Sequence, residues 1–376
     1  MFIFFKRLDW ILLGALAPLF LWSLLILKAV GTADDHFFYR QTIWIIIGLF
    51  VMFLVASVEW RTFSYTGVVL FLYFGLVVSL VLLILTGTRV KGAVSWFSFF
   101  EASFQPAEAV KLALILILAK YFSYRHIDIA RFRHILITGV YTALPSSLIL
   151  LQPDLGSVII ILAIWVGMTM VAGIRVRHFV LLTLCGLLVA VSGWYYLLEP
   201  YQKERIITFL NPTADPQGAG YNALQSMIAV GSGELFGKGV GYGSQSRLQF
   251  LPESHTDFIF AAFAEEWGFI GVTLLLVFFG IVLWRILAIG AASPTNFSKL
   301  FAIGFSIFIV AQAAIHACMN MGLLPITGIT FPFMSYGGSS LLVLCIGVGI
   351  LQNMHAHRYV AYLKNVPQTG DSLDFR

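Results

Sequence analysis

The residue best placed to do chemistry is Asp257, in Leu251-Pro-Glu-Ser-His-Thr-Asp-Phe-Ile-Phe-Ala-Ala-Phe-Ala-Glu-Glu-Trp-Gly-Phe-Ile-Gly271. It stands where a polar stretch becomes an apolar helix. A carboxylate at membrane depth is costly, so one kept there is a base, a proton relay or a helix cap. Three other segments put charge in apolar or glycine-rich surroundings. Glu108 and Lys111, in Gln105-Pro-Ala-Glu-Ala-Val-Lys111, are three apart and share one helix face. They form either a structural ion pair or part of a site. Asp154, in Gln152-Pro-Asp-Leu-Gly156, is either turn chemistry or a site carboxylate. Lys238, between glycines in Gly237-Lys-Gly-Val-Gly-Tyr-Gly243, is either a solvated loop charge or an anion contact.

The elements that must position these groups are membrane helices. Of 376 residues, 59% are hydrophobic and 11% charged, where a soluble domain carries about 25% charged. A spanning helix needs about 20 apolar residues. Ten segments qualify, at about 8–30, 41–58, 63–86, 105–123, 134–151, 155–173, 178–199, 256–285, 298–321 and 334–355. The expectation is an all-α integral membrane protein of about ten transmembrane helices. It forms a single polytopic domain over residues 1–376 with one large extracytoplasmic loop, 200–255. The first apolar run is long and lacks a small-residue cleavage site, so it reads as a retained helix.

Lys and Arg set the orientation. With the N-terminus cytosolic, Lys6, Arg7, Arg61, Lys120, Arg125, Arg131, Arg133, Arg175, Arg177, Arg285, Lys299, Arg358, Lys364 and Arg376 are cytosolic. Short outer segments hold only Lys28, Arg40, Arg89, Lys91 and Lys111. Both termini are therefore expected in the cytosol. The outer side takes the loop 87–104, with Arg89, Lys91, Trp96 and Glu101, and the loop 200–255. Within the latter, Tyr221–Val230 is apolar and helix-compatible, so it should fold onto the bundle. Residues 323–338 are apolar but broken by Pro325, Gly328 and Pro332. Their backbone cannot face lipid unpaired, which predicts a re-entrant or cavity-lining segment.

The helix after Asp257 predicts its setting. At about 100° per residue, Ala261, Ala264, Gly268 and Gly271 lie within about 40° of the Asp257 face. Small residues let membrane helices approach, so Asp257 should crown a tight helix contact. Glu265 and Glu266 point elsewhere and read as buried hydrogen-bonding groups. Other templates fail: there is no Walker A loop and no GxSxG elbow. His355 and His357 lie in the cytosolic tail, away from any zinc-type site. Cys185, Cys318 and Cys345 lie in apolar segments without CxxC spacing. The membrane class and the lack of a basic face exclude nucleic acid as a partner.

These segments resemble the SEDS family (shape, elongation, division and sporulation) over nearly the whole chain. The carrying motifs are Gly92-Ala-Val-Ser-Trp96, Gln105 to Lys111, Gln152 to Gly156, Phe209-Leu-Asn-Pro212, Gly220-Tyr221, Gly237-Lys-Gly239, Leu251 to Phe260, Glu265-Glu266, Leu324-Pro-Ile-Thr-Gly328 and Phe331-Pro-Phe-Met-Ser-Tyr-Gly-Gly-Ser-Ser340. The Phe-Leu-Asn-Pro and Gly-Tyr-Gly-Ser-Gln segments look more like the elongation branch than the division branch. Ser95 stands where many members have Arg, and Ala107 where many have Ser.

The resemblance implies a peptidoglycan glycosyltransferase at the bacterial plasma membrane, with its active site on the extracytoplasmic face. It would polymerise lipid II, the undecaprenyl-pyrophosphate-linked disaccharide peptide, during elongation and cell-shape maintenance. Its implied partners are a class B penicillin-binding protein, the rod-shape machinery and membrane lipids. Asp257 matches the family's essential aspartate and would be the base of an inverting displacement. Lys111 and Lys238, with Arg205 as a further candidate, would offset the pyrophosphate charge. Glu108 and Asp154 would orient those cations or the sugar. No cofactor is required by this scheme. A divalent cation, Mg or Mn, bridging carboxylates and pyrophosphate would serve the same end, and the sequence leaves the metal unknown. Two other classes fit the same helices: a lipid II flippase, and a non-catalytic scaffold for a penicillin-binding protein. Charged motifs clustered on one side disfavour the transporter, whose site belongs at the midplane.

Overall fold

The structure, a computed structural model, describes residues 7–30, 36–58, 62–87, 96–99, 102–125, 132–196, 200–211 and 218–365. All ten expected helices are present: α1 Trp10–Val30, α2 His36–Ser57, α3 Thr66–Thr86, α4 Pro106–Arg125, α5 Phe132–Leu151, α6 Leu155–Val171, α7 Val176–Tyr196, α11 Ile259–Ala291, α12 Asn296–Asn320 and α13 Gly338–Asn365. Eight of them are long and apolar enough to cross a membrane. The other two are α4, which carries Glu108, Lys111, Lys120 and Arg125, and α6, which has 17 residues. Arg89, Lys91 and most of Gly92–Trp96 lie outside the described residues, as do Glu101 and Pro212.

The bundle is built around α13. Of its apolar window 78% is buried, against 6% for α7, which lies at the periphery. α13 packs mainly on α2, α11 on α1 and α12, and α4 on α3 and α12. Pro145 breaks the hydrogen-bond ladder of α5, because proline has no N–H to offer the Tyr141 carbonyl. The Tyr73 hydroxyl from α3 donates to that carbonyl instead, which is how membrane helices tolerate proline.

The loop 200–255 folds into three helices, α8 Pro200–Leu210, α9 Ala219–Ser232 and α10 Ser244–Arg247. α9 covers the apolar piece expected to dock, and it packs on α11. One element was not expected: a short antiparallel hairpin, β1 Phe97–Phe99 with β2 Ala102–Phe104. It is tied down where Ser339 Oγ donates to the Ser103 carbonyl (3.0 Å) and accepts from Gln105 N (3.0 Å).

Residues 323–337 form an irregular strap, exposed at Leu323, Leu324 and Gly328 and buried at Ile329 and from Phe331 to Ser335. Ser23 Oγ donates to the Met334 carbonyl (2.6 Å) and Gln41 Nε2 to that of Ser335 (3.3 Å). Ser335 Oγ accepts from Phe331 N (2.7 Å) and donates to the Thr256 carbonyl (2.9 Å). At the other end of the bundle, Asp9 meets Arg285, Gln352 and His355. The start of α1 and the late turns of α11 and α13 therefore share one end.

α11 departs from the straight helix assumed in the sequence reading. Its backbone breaks at Gly268 (φ 65°, ψ −166°). The segment 234–239 inserts there. Lys238 N donates to the Glu265 carbonyl (2.9 Å) and Gly239 N to that of Glu266 (3.0 Å). In return, Phe269 N donates to Glu234 O (2.9 Å) and Ile270 N to Leu235 O (3.1 Å). A side chain at Gly237 would put its Cβ 2.1 Å from the Glu266 carbonyl oxygen. This close approach requires glycine.

Candidate active site

Asp257 lies in a turn before α11, one residue ahead of the cap position. That position falls on Phe258, whose side chain makes no capping bond. The sequence alternative of Asp257 as the cap residue is thereby corrected. The turn hangs on Glu253, which has left-handed backbone (φ 52°). Its carbonyl accepts from Thr256 N (3.1 Å), Asp257 N (3.1 Å) and Phe258 N (3.3 Å). A non-glycine residue held there costs energy, and such strain clusters at functional sites.

Asn320 of α12 fastens this turn. Its Nδ2 donates to the Asp257 carbonyl (2.9 Å) and its Oδ1 accepts from Ala261 N (3.1 Å). Asn320 is fully buried. The expected tight contact beneath Asp257 exists, with Ala261 and Ala264 buried, although the stripe stops being one helix at Gly268. The sequence reading missed Asn320; a buried amide at the end of an apolar span was the available signal.

The half-buried Asp257 carboxylate faces the strap. A Cβ built on Gly328 would lie 3.7 Å from Asp257 Oδ2. The neighbouring strap residues reach the other candidates. A Cβ on Gly156, at the start of α6, would touch Thr327 O (2.9 Å) and Ile329 Cγ1 (2.8 Å). Asp154 caps α6: Oδ1 accepts from Ser157 N (2.9 Å), and Oδ2 from Ser157 Oγ (2.8 Å) and Gln105 Nε2 (3.0 Å). Arg205, on α8, donates from Nη1 to the Ile326 carbonyl (3.4 Å). It helps line a small cavity of about 30 Å³ beside Met227, Met319 and Pro325. Strap residues 326–329 therefore gather Asp257, the Asp154 turn and Arg205 at one end of the bundle.

One turn into α4, Lys111 Nζ donates to Glu108 Oε1 (2.6 Å). Lys111 is 1% exposed, and its Nζ lies 5.8 Å from the Phe308 ring centroid. Glu108 Oε2 is buried with no hydrogen-bond partner among the described residues. From α12, Gln312 Nε2 donates to Thr330 Oγ1 (2.9 Å), and His316 Nδ1 pairs with the Ile329 carbonyl (2.7 Å). Gln312 Oε1 and His316 Nε2 are likewise buried without partners. The strap is lined with polar groups whose capacity is only half used.

Lys238 goes elsewhere. Its Nζ donates to Glu265 Oε1 (2.8 Å) and Ser244 Oγ (2.9 Å). Glu265 lies about 9 Å along the axis from Ile259, at roughly 1.5 Å per residue. Its carboxylate also accepts from Ser244 Oγ, Gln245 N, Ser246 N and Ser246 Oγ. The sequence reading of Glu265 as a buried hydrogen-bonding group matches this geometry; the same reading fails for Glu266, both of whose carboxylate oxygens are buried with no hydrogen-bond partner among the described residues. Its pairing of Lys238 with a leaving group does not follow from it. Among the described residues no three His, Cys, Asp or Glu side chains come together as a metal site. A divalent cation would take most of its ligands from water and substrate phosphates.

Comparison with known proteins adds identity to this geometry. Residues 5–360 match the cell cycle protein family FtsW/RodA/SpoVE. The chain is 40% identical to stage V sporulation protein E of Bacillus subtilis, over 88% of this chain and 89% of that protein. It is 35% identical to the peptidoglycan glycosyltransferase MrdB of Escherichia coli, over 94% of each. Among solved structures it resembles a chain of a peptidoglycan synthase complex that coordinates polymerization and crosslinking, with TM-score 0.80 and 32% identity. That match covers 94% of this chain and 98% of the other. It also resembles the rod shape determining protein RodA of Thermus thermophilus, with TM-score 0.71, 30% identity and the same coverage.

Proposed function

The chain belongs to the FtsW/RodA/SpoVE family of cell cycle proteins, and from that premise we propose that it is a multi-pass membrane peptidoglycan glycosyltransferase whose base is Asp257. The observation that carries the site is the strap. It holds Asp257 at Gly328 and Arg205 at Ile326, and it seats the Asp154 turn between Thr327 and Ile329.

The substrate is lipid II. The donor sugar leaves from pyrophosphate, and the acceptor is the 4-hydroxyl of a second lipid-linked sugar. An α-linked donor giving a β-linked glycan requires one inverting displacement. The acceptor oxygen attacks the anomeric carbon, its proton passes to the Asp257 carboxylate, and the sugar–oxygen bond to pyrophosphate breaks. Asp257 suits this work because it is half-buried at the head of an apolar helix, where a carboxylate keeps access to substrate. Arg205, exposed at the same end, meets the departing pyrophosphate. Lys111, buried one turn into α4 and held in place by Glu108, adds positive charge. Asp154 and Gln105 position the α4 and α6 entries. Lys238 is left out of the chemistry, since Glu265 and Ser244 hold it.

The reading continues to topology and partners. Both termini lie in the cytosol and the strap end lies outside, where lipid II arrives. A class B penicillin-binding protein supplies the crosslinking step, and the pair serves elongation. The test uses purified protein carrying Asp257→Asn, supplied with external lipid II. It should fold and bind lipid II while polymer formation falls by at least about 10²-fold. Polymerisation at the wild-type rate overturns the base assignment.

A further inference from the structure

At the end of the bundle away from the strap, α3, α4 and α5 part around a cavity of about 560 Å³. That size falls within the roughly 300–1,000 Å³ typical of ligand sites. Its place follows from α4: Lys120 lies about 21 Å along the axis from Pro106, at roughly 1.5 Å per residue. Nothing in the glycosyl-transfer site uses it.

The wall is divided by chemistry. Val69, Leu70 and Ile117 supply an apolar floor, while Thr66, Lys120 and Tyr124 supply a polar rim. Lys120 Nζ donates to the Ser64 carbonyl and lies 4.7 Å from the Tyr124 ring centroid. Those contacts fix the ammonium in space. They leave it two further N–H groups, and among the described residues it has no carboxylate partner. A half-buried cation with no counter-ion among the described residues, above an apolar floor, calls for an amphipathic ligand carrying negative charge.

The surroundings say where such a ligand comes from. Next to the floor, Phe71 and Leu72 on α3 and Val140 on α5 are exposed apolar residues in membrane-spanning helices. The cavity lies beside this lipid-facing belt. Tyr and Lys at a span's end mark the headgroup level, and basic pockets between membrane helices bind anionic headgroups. We propose that this cavity binds an anionic phospholipid, with its phosphate at Lys120 and Tyr124 and the start of an acyl chain against Val69, Leu70 and Ile117.

The test is native mass spectrometry of the delipidated full chain. The probes are phosphatidylglycerol, phosphatidylcholine and inorganic phosphate, added separately. Wild type should retain phosphatidylglycerol over phosphatidylcholine. Lys120→Gln should weaken phosphatidylglycerol retention about tenfold, the size expected for one charged hydrogen bond, and leave phosphatidylcholine unchanged. Leu70→Trp, which fills the floor, should weaken retention of both lipids. Equal wild-type retention of the two lipids overturns the proposal. So does an unchanged preference in Lys120→Gln, or competition by inorganic phosphate alone at lipid-like concentrations. Polymerisation by both variants in phosphatidylcholine discs should match wild type, which shows that they fold.

Discussion

Two buried ion pairs in this molecule differ in how fully they are satisfied. Glu265 accepts bonds from the Lys238 ammonium, two backbone amides and two serine hydroxyls. Every lone pair that a ligand could use is taken. Glu108 accepts from Lys111 alone, and its second oxygen has no partner among the described residues. Both pairs carry the same charges, and Glu108 and Glu265 are both buried. A buried charge short of partners is costly, so the pair that stays short is the one with capacity for substrate. The complete pair does another job: it locks the segment 234–247 against the break in α11. Lysine beside glutamate therefore carries opposite meanings at the two places, and the count of remaining donors and acceptors separates them.

The largest effect that tests this contrast is on activity. Lys111→Met should lower the polymerisation rate by at least about 10²-fold, within the range for losing one positioned charge-stabilising group. Adding Glu108→Gln should not restore it, because the second change removes the unpaired carboxylate and returns no cation. Lys238→Met should stay within a few-fold of wild type once its folded fraction is measured. Rescue in the double variant would make Glu108–Lys111 a purely structural pair and dissolve the contrast.

The next effect is on stability. Glu265→Ala strands Lys238 and the donors of residues 244–246. Truncating one member of a buried charged pair costs about 3–5 kcal/mol. Lys238 is 30% exposed, so water rescues part of it and the lower end of that range is expected. Thermal melts of purified protein should show the loss, together with faster proteolysis within residues 233–247. An unchanged melt would mean that the loop is held without this carboxylate.

How much of this could be read in advance follows from the range of each interaction. Apolar runs of about 20 residues are local, so the ten helices were legible, as was the irregular strap from Pro325, Gly328 and Pro332. The Glu108–Lys111 contact, three residues apart on one helix face, was legible for the same reason. The break at Gly268 was not. The run Trp-Gly-Phe-Ile-Gly reads as continuous apolar helix, and only four backbone bonds from residues 234–239 make the break stable. Lys238 was recognised as unusual, but its partner in the fold was not, since Glu265 is 27 positions away. Asn320 was missed for the same reason, because its bonds reach back 63 and 59 residues to Asp257 and Ala261.

The smallest effect concerns a third pair, at the far end. Asp9 resembles Glu265 in completeness. Its carboxylate accepts from Leu12 N and from the Arg285 guanidinium, and His355 Nδ1 lies 3.9 Å away. Burial works against the charged form. The Arg285 hydrogen bond and the Leu12 amide outweigh it and hold the carboxyl below its ordinary range. A depressed folded-state pKa stabilises the fold above the unfolded value, about 3.9 for aspartate. That contribution fades as pH falls through the folded value. Asp9→Asn should therefore cost about 1.5–3 kcal/mol near pH 7, the scale of a charged hydrogen bond. The gap between wild type and variant should hold down to about pH 4 and close below it. Melts of both proteins across that range decide the point: a gap that persists in stronger acid would mean that Asp9 holds the ends of α1, α11 and α13 together by shape, with its charge playing no part.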